Sequence, residues 1–145
     1  LPLPGELAFA GFSPDGRRLL LSTYQERQWL TNFATLEECQ VHVWDTETVS
    51  PVTKAIQFDG ALVNHCVLHP QGDKFLTVTN DTVQQWAMET GRSIGAALES
   101  ESRGSFNHVA YSPDGHNIVT AAGDVFHGRG GARLWEARSG KPLTP

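Results

Sequence analysis

Two Cys-x-x-His spacings, Cys39–His42 and Cys66–His69, are the side chains of this chain best suited to gripping a transition metal. A structural zinc site takes thiolate and imidazole ligands, four of them in a tetrahedron. Each pair lies at or beside a stretch that reads as a β-strand, where residues three apart point to opposite faces. Neither pair grips one ion easily and no set of four is evident, so no metal is expected. Ser, His and Asp residues are present, but no nucleophile elbow or other placed constellation joins them. Glu37 and Glu38 are adjacent near a loop end, which suits solvated carboxylates better than an acid–base pair. The Gly-rich stretch from Gly123 to Gly131 lacks a Gly-Lys-Ser/Thr ending and runs into a strand rather than a helix. It is therefore not a phosphate loop. The chemistry-bearing residues imply no enzyme and no cofactor.

The elements that would position these residues recur three times. Phe12-Ser13-Pro14-Asp15-Gly16, Leu68-His69-Pro70-Gln71-Gly72 and Tyr111-Ser112-Pro113-Asp114-Gly115 are each a hydrophobic residue followed by a Pro turn closed by Gly. Pro presets φ in such a turn, and Gly takes the conformation other residues resist. A short apolar strand follows each turn: Arg18–Ser22, Lys74–Thr79 and Asn117–Ala121. A second strand then ends in Trp44, Trp86 or Trp135, and a polar turn follows each Trp. The tryptophans are 42 and 49 residues apart. Short strands between turn signals at that period indicate propeller blades.

This pattern resembles the WD-repeat family, and the resemblance covers nearly the whole chain. It implies an all-β fold of β-propeller blades: three four-stranded antiparallel WD-type repeats forming a partial ring. The whole chain, residues 1–145, reads as one propeller fragment with repeats at about 5–59, 60–101 and 102–145. The innermost strands are expected near Leu7–Phe12, Leu62–Leu68 and Phe106–Tyr111. Trp44, Trp86 and Trp135 are expected to be structural, packed between strands or blades. His65 and His108 stand three residues before Leu68 and Tyr111. Matching places favour a structural role, such as hydrogen bonding near the central channel. The chain departs from the family in its Trp dipeptides, Trp44-Asp45, Trp86-Ala87 and Trp135-Glu136. The usual Gly-His pair is absent, and Glu38, Asn80 and Arg129 stand where the family has Asp. The expectation is that the family's buried Trp–Ser/Thr–His–Asp network is not assembled and that apolar packing between blades carries stability. The closing Ser-Gly-Lys-Pro-Leu-Thr-Pro also resembles repeats of large bacterial signalling proteins, some with serine/threonine kinase domains.

Turn to Trp takes 18 residues in the second repeat, 32 in the first and 24 in the third. Both excess lengths fall between the second and third strands of their repeats, so both insertions decorate one face of the ring. Loops on one face of a rigid scaffold are where binding usually lives. The first insertion brings Tyr24, Arg27, Trp29 and Phe33, the second Phe126, His127 and Arg129. Trp29, Phe33 and Leu36 fit helical spacing, and a lengthened hairpin fits equally. Aromatics and Arg are enriched in interface hot spots, although aromatics packed on the blade edge give the same composition.

The net charge is −5, which argues against a nucleic-acid footprint. No apolar run approaches the roughly 18 residues needed to cross a bilayer, so no membrane partner is expected. Two cysteines are too few for a disulfide framework and favour a reducing, cytoplasmic setting. The leading expectation is a protein- or peptide-binding scaffold module. The alternative is a sensory or regulatory propeller of a kinase-like protein that binds a small ligand. Three blades leave two blade faces open, and the ends at Leu1–Pro4 and Lys141–Pro145 read as two parts of one outer strand. A head-to-tail homodimer of six blades is therefore expected, with a nine-bladed trimer ranked second.

Overall fold

The computed structural model describes residues 3–28, 35–79, 81–99, 105–124 and 129–144; the side chains of 26–28, 35–37, 107, 124 and 129 lie outside that description. All regular structure there is β. The strands are β1 (Glu6–Phe12), β2 (Arg18–Gln28), β3 (Thr35–Asp45), β4 (Ser50–Pro51), β5 (Ile56–Asp59) and β6 (His65–Leu68). They continue with β7 (Lys74–Val78), β8 (Thr82–Ala87), β9 (Ser93–Glu99), β10 (Ser105–Tyr111), β11 (Asn117–Asp124) and β12 (Arg129–Glu136). Three antiparallel sheets follow chain order: β1 to β5, β6 to β9 and β10 to β12. Each is one blade.

The repeated turns work as their residues dictate. The Ser13 hydroxyl donates to Asp15 (2.6 Å) and accepts from the Arg18 amide (2.9 Å). The Arg17 amide donates to the same Asp15 oxygen (3.0 Å), and Gly16 closes the turn at φ +71°. Ser112, Asp114 and Gly115 repeat this arrangement. The serine hydroxyls, and then the Arg17 and His116 amides, hold the Asp15 and Asp114 carboxyls below the usual carboxylate range. The turn fixes the register that follows. Leu19 faces Trp44, Phe75 faces Trp86 and Ile118 faces Trp135.

Alternation then sends one face of every blade forward and the other back. Leu20, Cys39, Val41 and Val43 of blade one pack against Val63, Cys66, Phe75 and Met88 of blade two. Leu76, Val78, Val83 and Leu98, on the other face of blade two, pack against Phe106, Val109, Ile118 and Trp135 of blade three. The core is therefore two apolar layers between blades. Apolar burial of this kind is the main favourable term in folding.

The outer strands depart from the simple pattern. The outer strand of blade one is split into β4 and β5, both paired to β3. Val49 has φ +50°, which a β-branched residue resists, and Pro51 has no amide to donate. The ladder breaks only after Val52, whose amide still reaches the Val43 carbonyl (2.8 Å) and whose side chain packs on the first core. In blade three the fourth strand is a single bridge between Trp135 and Pro142. The innermost strand of blade two is shorter than expected, beginning at His65, although the Asn64 amide still reaches the Val78 carbonyl (2.8 Å).

One expectation holds only in part. The Trp–Thr arm of the family's network is present in two blades. The Trp86 indole donates to the Thr77 hydroxyl (2.8 Å), and the Trp135 indole donates to Thr120 (2.9 Å). The register explains both, since each Thr stands two residues beyond the partner of its Trp and so shares its face. The same place in blade one is Leu21, and the buried Trp44 indole nitrogen has no acceptor.

Burial also sets the chemistry of the cysteines. Both Cys39 and Cys66 lie in the first core and no disulfide joins them. Burial, and then the neighbouring Cys39, push the Cys66 thiol up from 9.0 to about 12. The folded protein thus disfavours the thiolate, and this contribution to stability is complete below about pH 9 and is lost as the pH rises through 12. Cys66 is expected to resist a thiol reagent at pH 8 until the chain is denatured, because the thiolate is the nucleophile. Rapid labelling of the native protein at Cys66, read by peptide mapping, would contradict this.

Candidate binding site

The two insertions are lengthened hairpins. β2 and β3 stay in register as far as Gln28 opposite Thr35, and β11 and β12 as far as Asp124 opposite Arg129. In blade two the equivalent ladder ends at Val78 opposite Val83. Because all three blades begin β2, β7 and β11 from the same kind of turn, the extra length emerges at the opposite end of the blades from those turns. Tyr24 marks the base of the first hairpin, half-buried, with its hydroxyl donating to Glu6 (2.7 Å). Arg27 lies further along β2, and Arg129 opens β12. Trp29, Phe33, Phe126 and His127, the other proposed contact residues, lie outside the described residues. Residues 24–28 and 35–39 are strand, while Trp29 and Phe33, on which the choice between helical spacing and a hairpin turned, lie outside the described residues.

The structural tryptophans occupy different settings. Trp135 is buried in the second core, and Trp86 packs on the first. Trp44 faces the open front of blade one and is half-buried. His65 stands edge-on to Phe9 with ring centroids 5.5 Å apart, and His108 is exposed, so their matching places bring no shared hydrogen bond. The two Cys-x-x-His pairs are split as strand geometry requires. Cys39 enters the core, while His42 lies 3.4 Å from the Thr23 hydroxyl. Burial lowers the His42 pKa. Among the described residues no three His, Cys, Asp or Glu side chains gather as a metal-binding group.

At the turn end of the blades lies a feature that sequence reasoning missed. A cleft of about 590 Å³ opens between blades two and three. His69, Lys74, Gln85, Ile94 and Gln71 line it from blade two. Blade three contributes Asp114 to Asn117, Glu136 to Arg138, and Leu143. His69 takes the place that serine holds in the other two turns. Its Nε2 lies 3.2 Å from the Gly115 carbonyl oxygen and its Nδ1 lies 2.8 Å from Asp73. The Tyr111 ring stands edge-on to it at 4.7 Å. Burial, and then the Asp73 carboxylate, push the Tyr111 hydroxyl pKa upward. The Gln85 amide reaches the Ala137 carbonyl across the junction (3.3 Å). These contacts pin the two blades together around the cleft. The signal in the sequence was the single turn in which His replaced Ser.

No protein-family model matches this sequence, and no curated protein does. Solved structures do. The β-propeller domain of Cps50 (Swd1) from Myceliophteria thermophila superposes with a TM-score of 0.69 at 14% identity, over 95% of this chain and 40% of that one. A chain of the mitotic checkpoint complex gives 0.65 at 15% identity, over 95% of this chain and 36% of that one. This chain thus spans about two fifths of the length of those chains. At such identities the likeness speaks to fold alone, and with the three consecutive blades it makes this chain an open run of β-propeller blades.

Proposed function

We propose that the chain is a non-enzymatic module that binds a protein or peptide through the face carrying the two lengthened hairpins. The observation that carries this reading is the emergence of both hairpins from one end of a rigidly cored scaffold. The likeness to a chain of a multi-protein complex supports it at the level of fold. The test is to select peptides from a random display library on the immobilised chain. They are then rebound to a variant in which residues 25–38 are replaced by an Asn-Gly hairpin turn. Loss of binding with an unchanged melting temperature is the expected result, and equal binding to both proteins would sink the reading. The size of the inter-blade cleft keeps a second reading in play, since small-molecule sites commonly enclose about 300–1,000 Å³. In that reading the blades form the sensory part of a kinase-associated protein.

The same proposal extends to assembly in the cytoplasm without nucleic acid or membrane. The front of blade one exposes Phe12 (64%) and Leu7 (56%). The homologues of Phe12, Leu68 and Tyr111, pack against the preceding blade. The back of blade three exposes Val119 (38%), whose homologues Leu20 and Leu76 are buried. Leu134, Ala110, Ala121 and Ala132 stand on that same back face, so an apolar front meets an apolar back. A head-to-tail dimer pairs these surfaces twice and closes six blades, and three copies would close nine. Light scattering at micromolar concentration is expected to give twice the chain mass. A folded monomer would refute this.

A further inference from the structure

The two inter-blade junctions carry different charge at homologous positions. In the first, Arg18 of blade one binds Asp45 of its own blade (2.5 Å) and Glu89 of blade two (2.9 Å). One cation is thereby closed by two carboxylates. The repeat maps Arg18 to Lys74, Asp45 to Ala87 and Glu89 to Arg138 at the second junction. Both acidic partners are gone, and one is replaced by a cation. Lys74 and Arg138 line the 590 Å³ cleft together. Lys74 retains Asp73 at 3.3 Å, while Arg138 is exposed and has no hydrogen bond or ion pair to any described residue. The acids on the same cleft are engaged locally. Asp114 accepts from Ser112 and the His116 amide, and Glu136 accepts from the Ser139 hydroxyl. Ile94 and Leu143 add apolar wall.

We propose that this cleft binds a peptide carrying one carboxylate side chain between aliphatic ones, with the carboxylate held by Lys74 and Arg138. The proposal rests on the peptide-binding reading above but places a second contact at the opposite end of the blades from the hairpins. A guanidinium offers a forked pair of donors that matches a carboxylate, and an ammonium adds a point charge. Asp114 and Glu136 repel a second negative charge, so a single carboxylate fits better than an acidic run or a phosphate dianion. The bound carboxylate does at this junction what Glu89 does at the first.

The probe is acetyl-Gly-Leu-Glu-Leu-Gly-amide, titrated into the isotope-labelled chain and followed by NMR, with the Gln peptide as control. Shifts are expected around Lys74, Arg138 and Leu143, and the Gln peptide should bind about tenfold more weakly or worse. Arg138→Glu restores, from within the chain, the carboxylate that Glu89 supplies at the first junction. It should weaken the Glu peptide by about tenfold or more and leave the melting temperature unchanged or raised. Lys74→Gln should weaken it in the same direction, and Lys54→Glu, on blade one, should leave it unchanged. Equal affinity for the Glu and Gln peptides, or an unaltered Kd in Arg138→Glu, overturns the proposal. So does displacement of the peptide by inorganic phosphate. Shifts confined to the hairpin residues also overturn it while leaving the hairpin-face reading intact.

Discussion

Replacing Trp135 by alanine is expected to cost about 3–5 kcal/mol, the range for truncating a large buried aromatic. A domain of this size has only about 5–15 kcal/mol to lose. Trp135 is 6% exposed and stands in the layer that joins blades two and three. Its indole donates to Thr120, and the Arg133 guanidinium lies 5.2 Å from its ring centre. Truncation therefore opens a cavity and removes a buried hydrogen bond at once. Trp44 provides the contrast within the same chain. It faces the open front of blade one, and its indole nitrogen is buried without an acceptor because Leu21 holds the place of threonine. Trp44→Ala should cost clearly less, and Trp44→Phe should be nearly neutral, since it removes an unsatisfied donor. Trp135→Phe should cost about 1–3 kcal/mol, because the Thr120 hydroxyl then loses its partner. Guanidinium midpoints at constant m-value measure all four. A Trp135→Ala variant within about 1 kcal/mol of wild type would mean that this layer does not hold the blades together.

The turns made most of this fold legible. A Pro-Gly turn announces where each central strand pair begins, and the following alternation assigns each side chain to a face. The blade order and the Trp positions follow from those two signals. Thr77 and Thr120 were legible on the same logic, since each shares a face with its Trp. The break between β4 and β5 was not legible. It falls between Val52, whose amide still reaches the Val43 carbonyl, and Ile56, which stands opposite Val41, and no residue type there announces the shift of register. The cleft was hidden for another reason. Lys74 and Arg138 are 64 residues apart and meet only across a blade junction. Their significance appears only when the register shows that they replace Arg18 and Glu89. The hairpin tips remain a compositional argument, because Trp29, Phe33, Phe126 and His127 lie outside the described residues.

Gly115→Ala and Gly16→Ala should separate the cost of a turn from the cost of a blade junction. Both glycines close the same turn with nearly the same backbone, φ +75° and +71°. An L-residue in that region costs roughly 1–2 kcal/mol, so both variants share this penalty. Their surroundings differ. A Cβ on Gly16 meets nothing within 4 Å, whereas a Cβ on Gly115 would lie 2.3 Å from the Nε2 of His69. His69 cannot easily give way, being buried, held at Nδ1 by Asp73 and packed edge-on by Tyr111. Gly115→Ala should therefore cost a further 1–3 kcal/mol or so, the usual range for overpacking a filled site. The excess should vanish when His69 is first changed to alanine, because the clash is then gone. In a double-mutant cycle this appears as a coupling of about 0.5–3 kcal/mol between positions 69 and 115, and as no coupling between 69 and 16. Equal losses at the two glycines, unaffected by His69→Ala, would show that the turn alone sets the cost and that His69 does not lock blade two to blade three.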